Sequence, residues 1–76
     1  MQKALKKKLE AVWPMLGNIQ AVLAEVSAEH EKYVEARSER WLESDAGEQA
    51  EMDSGEFEDA QCNMEEVVAC IDRLIH

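Results

Sequence analysis

Between Leu5 and Tyr33 the chain repeats itself at alternating steps of four and three: Leu5, Leu9, Val12, Leu16, Ile19, Leu23, Val26, His30 and Tyr33. Residues at that spacing share one face of an α-helix, so the stripe predicts a single long amphipathic helix. With Leu9, Leu16, Leu23 and His30 at heptad position a, the residues Leu5, Val12, Ile19, Val26 and Tyr33 fall at d. Leucine at a with β-branched residues at d leans toward bundles rather than a parallel pair. Met15 and Val22 at g and Trp13 at e widen the stripe beyond a two-helix seam, as in a helix touching two neighbours.

Pro14 interrupts the chemistry of this helix without interrupting its pattern. Proline removes one hydrogen bond and crowds the carbonyl four residues back, and Gly17 adds a second weak position. Either the helix kinks over residues 10–14, or one helix ends at Trp13 and another starts with Pro14 in its first turn. The stripe keeps its phase across Pro14, which favours the kink.

Past Tyr33 the stripe fades into Arg37, Ser38, Glu39 and Arg40 before Trp41 and Leu42. The run Ser44-Asp45-Ala46-Gly47-Glu48 holds helix-start chemistry, with Asp45 as a cap and Glu48 as its capping-box partner. Asp53-Ser54-Gly55-Glu56 repeats the signature, so a second helix starts near Asp45 or, after a loop, near Asp53. From Phe57 the steps are regular: Phe57, Ala60, Met64, Val67, Ile71, Leu74, with Val68 and Ile75 as a flank.

The expected fold is all-α: an antiparallel helical hairpin of a long kinked helix and a shorter second one. It places Lys3, Lys6, Lys7 and Lys8 beside the end of the second helix, where the helix dipole favours cations. It gathers Glu29, Glu31, Glu35, Glu39 and Glu43 near Asp45 to Asp59, a like-charged and strained turn end. Trp13, Met15, Val22, Val68 and Ile75 are left uncovered. Two hairpins pairing into a four-helix bundle would cover them, giving a homodimer; a short helical segment around Trp41 is the alternative.

Composition narrows the function. Seventy-six residues make one domain with a modest core. Cys62 and Cys70 are eight positions apart, about 12 Å on one helix, beyond the roughly 4.4–6.8 Å that a disulfide spans; they read as free thiols of a reducing compartment. No apolar run is long enough for a membrane span and no leader pattern is evident, so a soluble, cytoplasmic chain is expected. The formal charge of −9 argues against direct nucleic-acid binding. From Glu43 to Glu66 there are ten acids and no Lys or Arg.

Candidate chemistry is sparse. The inward Glu-x-x-His pairs of a di-iron bundle are absent, as is the residue order of a calcium loop. No metal, cofactor or catalytic residue is therefore assigned. His30 in the stripe reads as a polar residue that fixes register; the alternative is a pH switch, since its protonation would charge a core position. Cys62 and Cys70 lie on the outer face and flank, with no histidine near either in sequence. Tyr33 and Trp41, flanking Arg37, either plug the end of the bundle or anchor a partner, since these residue types dominate hot spots. The acids either form a solvated face or imitate nucleic-acid phosphate toward a basic protein. On that second reading the partner-binding residues are Tyr33, Arg37, Trp41, Glu43, Asp45, Glu48, Glu51, Asp53, Glu56, Glu58 and Asp59.

The stretch EHEKYVEARSERWLESDAGE, followed by MEEVVACIDRLI, resembles small acidic helical proteins of phages and bacterial mobile elements. In those, a Lys-rich amphipathic helix leads through an acidic Ser-x-x-Gly-Glu turn into an acidic second helix, and Ser44, Gly47 and Glu48 stand in that turn here. Pro14, Gly55 and the two cysteines depart from the group's Ala/Glu/Leu-rich pattern. The resemblance implies an accessory role in the host cytoplasm: inhibition of host defence or nucleic-acid machinery, as anti-CRISPR proteins do. A structural or scaffolding oligomer is the other expectation.

Overall fold

The computed structural model describes residues 1–76 and consists of three helices: α1, Lys3–Glu35; α2, Glu39–Leu42; and α3, Asp45–Ile75. There is no strand. α1 is rich in Ala, Leu, Lys and Glu, which lose little freedom in a helix. It runs unbroken through Pro14, so two helices meeting at that residue are not realised. The missing N–H leaves the carbonyl of Glu10 without its ladder partner. Both residues are exposed.

Two serines build the corner that follows. α1 closes with the Ala36 N–H donating to the Lys32 carbonyl and that of Arg37 to the Val34 carbonyl. Ser38 is extended and its Oγ accepts from the Trp41 N–H at 3.2 Å, starting α2. Ser44 is extended too, and its Oγ accepts from the Gly47 N–H at 3.4 Å while its hydroxyl donates to the Trp41 carbonyl. The cap of the last helix is thus Ser44 and not Asp45. Asp45 and Glu48 instead fall in the first turn of α3, where carboxylates meet the positive end of the dipole. The later start near Asp53 is also set aside, because Asp53, Ser54 and Gly55 are interior to α3. Gly47 explains the early start: it is buried, and a Cβ on it would overlap the backbone of Leu42. Only a residue without a side chain lets α2 press so closely on α3.

α3 runs back along α1. The His30 ring lies 5.4 Å from that of Phe57, and the Trp13 ring 6.4 Å from that of His76. The result is a rod of 58 × 15 × 14 Å with a radius of gyration of 17.4 Å, against about 11 Å for a compact chain of this length. α1 extends about 15 Å past the level of His76, and Lys3, Lys6, Lys7 and Lys8 stand on that overhang.

The seam departs from the heptad reading. On α1 the least exposed positions are Leu9, Val12, Leu16, Gln20, Leu23, Ser27, His30 and Val34. Position a stays inside, but position d gives way to e after Val12. On α3 Val68 and Ile75 face inward, while Val67 and Leu74 are 43% and 51% exposed. The inner line follows the natural 3.6-residue turn, and a 3.5-residue repeat drifts by about 20° per heptad against it. Ile19, Val26 and Tyr33 are carried out of the seam in this way. Leu16, Ala50 and Ile75 are the only buried hydrophobic residues.

Candidate protein-binding surface

Polar residues enter the seam at its centre and at the turn end. Gln20, Leu23, Gln61, Met64 and Glu65 border a shallow depression of ≈ 200 Å³. His30 is half-buried and its Nε2 donates to the Ala50 carbonyl at 3.0 Å. A carbonyl can only accept, so Nε2 carries the proton in this bond. The same carbonyl accepts from Ser54 Oγ at 3.1 Å. His30 thus ties α1 to one level of α3, a contact that fixes register.

These contacts give the rod two unlike sides. Gln20 sits with Gln61 and Glu65, and Trp13, Gly17 and Gln20 sit with Val68. Residues four positions after a seam residue therefore lie on one side for both helices. Residues three positions after lie on the other. The first side carries Gln20, Ser27, Gln61, Glu65 and, one heptad either way, Glu58 and Asp72, with Trp13 and Val68 toward the open end. The second carries Val12, Met15, Ile19, Val22 and Val26 from α1 beside Ala60, Val67 and Leu74 from α3. Met15 is 59% exposed and Val22 is 56% exposed. Sequence spacing marked Met15 and Val22 as uncovered, but placed Ile19, Val26, Val67 and Leu74 inside.

The acids form no single plane. Asp45, Glu48, Asp59 and Glu66 follow the outer face of α3, Glu58 and Glu65 the polar side, and Asp53 and Glu56 the apolar side toward the turn. Glu43 and Glu51 complete the block. All are exposed except Asp53, which is half-buried and accepts from Gln49 Nε2 at 3.0 Å. No Lys or Arg lies within ion-pair distance of any carboxylate; the one pair is His76 with Asp72, at 3.4 Å. Every carboxylate of the block therefore lacks a Lys or Arg within ion-pair distance.

At the turn end, Tyr33 and Trp41 meet edge to face with ring centres 5.9 Å apart, and the Arg37 guanidinium lies 4.4 Å over the Tyr33 ring. Such stacking is worth about 0.5–1 kcal/mol at an exposed site. Trp41 is half-buried and Tyr33 exposed. The three residues are brought together.

Cys62 and Cys70 are free and exposed, and Arg73 Nη2 donates to Cys70 Sγ at 3.1 Å. No three His, Cys, Asp or Glu side chains converge. No helix is long and apolar enough to cross a membrane. No protein-family model matches the chain, and neither does any curated protein or solved structure.

Proposed function

We propose that the chain is a non-enzymatic protein-binding module that presents its acids to the basic surface of a nucleic-acid-binding protein. In the setting of the phage and mobile-element proteins it resembles, that makes it an inhibitor of a host defence or nucleic-acid-binding complex in the host cytoplasm. The observation that carries this reading is the uncompensated acidic block: ten carboxylates from Glu43 to Glu66 with no Lys or Arg within ion-pair distance. Carboxylates fixed along a rod hold their spacing as backbone phosphates do, and uncompensated charge of one sign speeds encounter with the opposite sign. The Tyr33–Arg37–Trp41 stack at the same end offers the aromatic and guanidinium anchors that concentrate binding energy.

The test replaces Glu48, Glu51, Asp53, Glu56, Glu58 and Asp59 with their amides. Immobilised wild-type chain should capture basic nucleic-acid-binding proteins from lysate at low salt and release them at high salt or to competing duplex DNA. The amide variant should capture none while its circular dichroism is unchanged. Undiminished capture by the amide variant contradicts the reading.

The exposed apolar side favours a second reading: a structural or scaffolding oligomer in which antiparallel hairpins pair into a four-helix bundle and the acids keep the assembly in solution. The two readings are compatible where a homodimer is the form that meets the basic partner.

A further inference from the structure

We propose that the apolar side of the rod docks a second copy of the chain in one orientation: head to tail, with α1 against the partner's α1 and α3 against the partner's α3. The inference rests on the pairing reading above and adds to it the face, the direction and the register.

Area comes first. A globular chain of 8.6 kDa exposes about 4,700 Å², and this one exposes 6067 Å². The excess, about 1,400 Å², exceeds the about 800 Å² that each partner contributes to a standard interface. The apolar part of the surface is concentrated on one side, where Met15, Ile19 and Val22 of α1 stand beside Val67 and Leu74 of α3. Its length from Val12 to Val26 is about 21 Å. A flat apolar strip two helices wide needs an occupant of the same shape, and the same strip on a second copy has it.

Charge chooses the direction. Two twofold arrangements bring these sides face to face. With the axis along the rod, each α1 covers the partner's α3 and the two acidic turn ends lie together, Glu29 against the partner's Asp53 and Glu56. With the axis across the rod, each lysine-bearing overhang lies against the partner's acidic end. Only the second arrangement joins opposite charges.

The sequence is built for that second arrangement. Lys8, Met15, Val22 and Glu29 follow one another at seven-residue intervals on the apolar side of α1. Reflected about a point between Asn18 and Ile19, Lys8 exchanges with Glu29 and Met15 with Val22. In the neighbouring row Val12 exchanges with Val26, and Ile19 meets the partner's Ile19. On α3 the residues level with Ile19 are Val68 to Cys70, since Phe57 is level with His30 and His76 with Trp13. Val67 then exchanges with the partner's Leu74, and the midpoint of the two positions lies within about 2 Å of that level. An apolar centre is closed at each end by Lys8 against the partner's Glu29. Neither residue has an ion-pair partner within its own chain.

The test has two arms. In a Cys62→Ser, Cys70→Ser background, Ile19→Cys under mild oxidation should give a disulfide-linked dimer in high yield, while Ala24→Cys, on the polar side, should give none. A chain that sediments as a dimer yet fails to cross-link through Ile19→Cys overturns the orientation and leaves pairing itself standing. A wild-type chain that stays monomeric at about 100 μM overturns both, and assigns the apolar side to a different protein. In the second arm, Lys8→Glu and Glu29→Lys should each weaken dimerisation about two- to thirtyfold, from the loss of two surface ion pairs. The double exchange should restore it. Both positions are exposed and remote from the seam of α1 with α3, so the fold survives, and lack of rescue counts against the register.

Discussion

Gly47 carries more of the corner than any side chain does. It is the one glycine with a neighbour in the way, since a Cβ at Gly17 or Gly55 meets nothing within 4 Å. All three are helical with negative φ, so the difference between them is space and not backbone angle. Gly17→Ala and Gly55→Ala should each stabilise the chain by about 0.5–1 kcal/mol through helix propensity. Gly47→Ala should destabilise it by about 1–3 kcal/mol, because the methyl group forces α2 away from α3. At about 4–8 °C per kcal/mol for a chain of this size, thermal melts resolve the opposite signs. The sequence held only a hint of this: Gly47 sits three residues after Ser44, inside a helix start, where a longer side chain is commoner. His30 was legible in outline, as a polar residue placed in an apolar stripe. Its partner, the Ala50 carbonyl, was not, because no side-chain pattern marks a backbone acceptor on another helix.

At the scale of elements, period and punctuation located the helices well. The stripe crossing Pro14 in phase pointed to a kinked helix rather than two, and α1 is continuous through Pro14. The sequence left the helix start open between Asp45 and Asp53; the structure takes the first, and the choice of Ser44 over Asp45 as cap follows from its extended backbone and its hydroxyl, which both accepts from Gly47 and donates to Trp41. What spacing could not decide was the direction in which each apolar stripe turns. A stripe of Leu, Ile, Val and Met three to four residues apart has two flanks, and either can face the neighbour. The neighbour's shape and the 3.6-residue turn chose e over d on α1 and put Val68 and Ile75, not Val67 and Leu74, inside α3. Pro14 remains a local cost within an intact helix. Pro14→Ala should raise stability by up to about 3 kcal/mol, since it restores the bond to the Glu10 carbonyl and removes the ring clash. Circular dichroism at 222 nm and the melting temperature should both rise. A fall in melting temperature would mean that the proline geometry is needed to seat Trp13 and Leu16 against α3.

For the whole molecule, the decisive feature is how little the chain covers by itself. A rod of two helices puts no residue far from solvent, and four buried residues are all that it has. The charge is separated lengthwise, with lysines on the overhang and acids toward the turn, and the hydrophobicity is separated crosswise, with an apolar side opposite a polar one. Length, lengthwise charge and the Met15 and Val22 flank were all readable from the chain. The crosswise division was not, because it depends on how the two stripes settle against each other. Both separations act at the surface, where the proposed basic partner would lie along the acids and the proposed second copy along the apolar side.

Small-angle X-ray scattering tests that account most directly, because it reads mass and length together. The antiparallel pair predicts the mass of two chains in an envelope no more than about 10 Å longer than the 58 Å of one rod. A particle with the mass of one chain, or a two-chain particle close to twice that length, contradicts it.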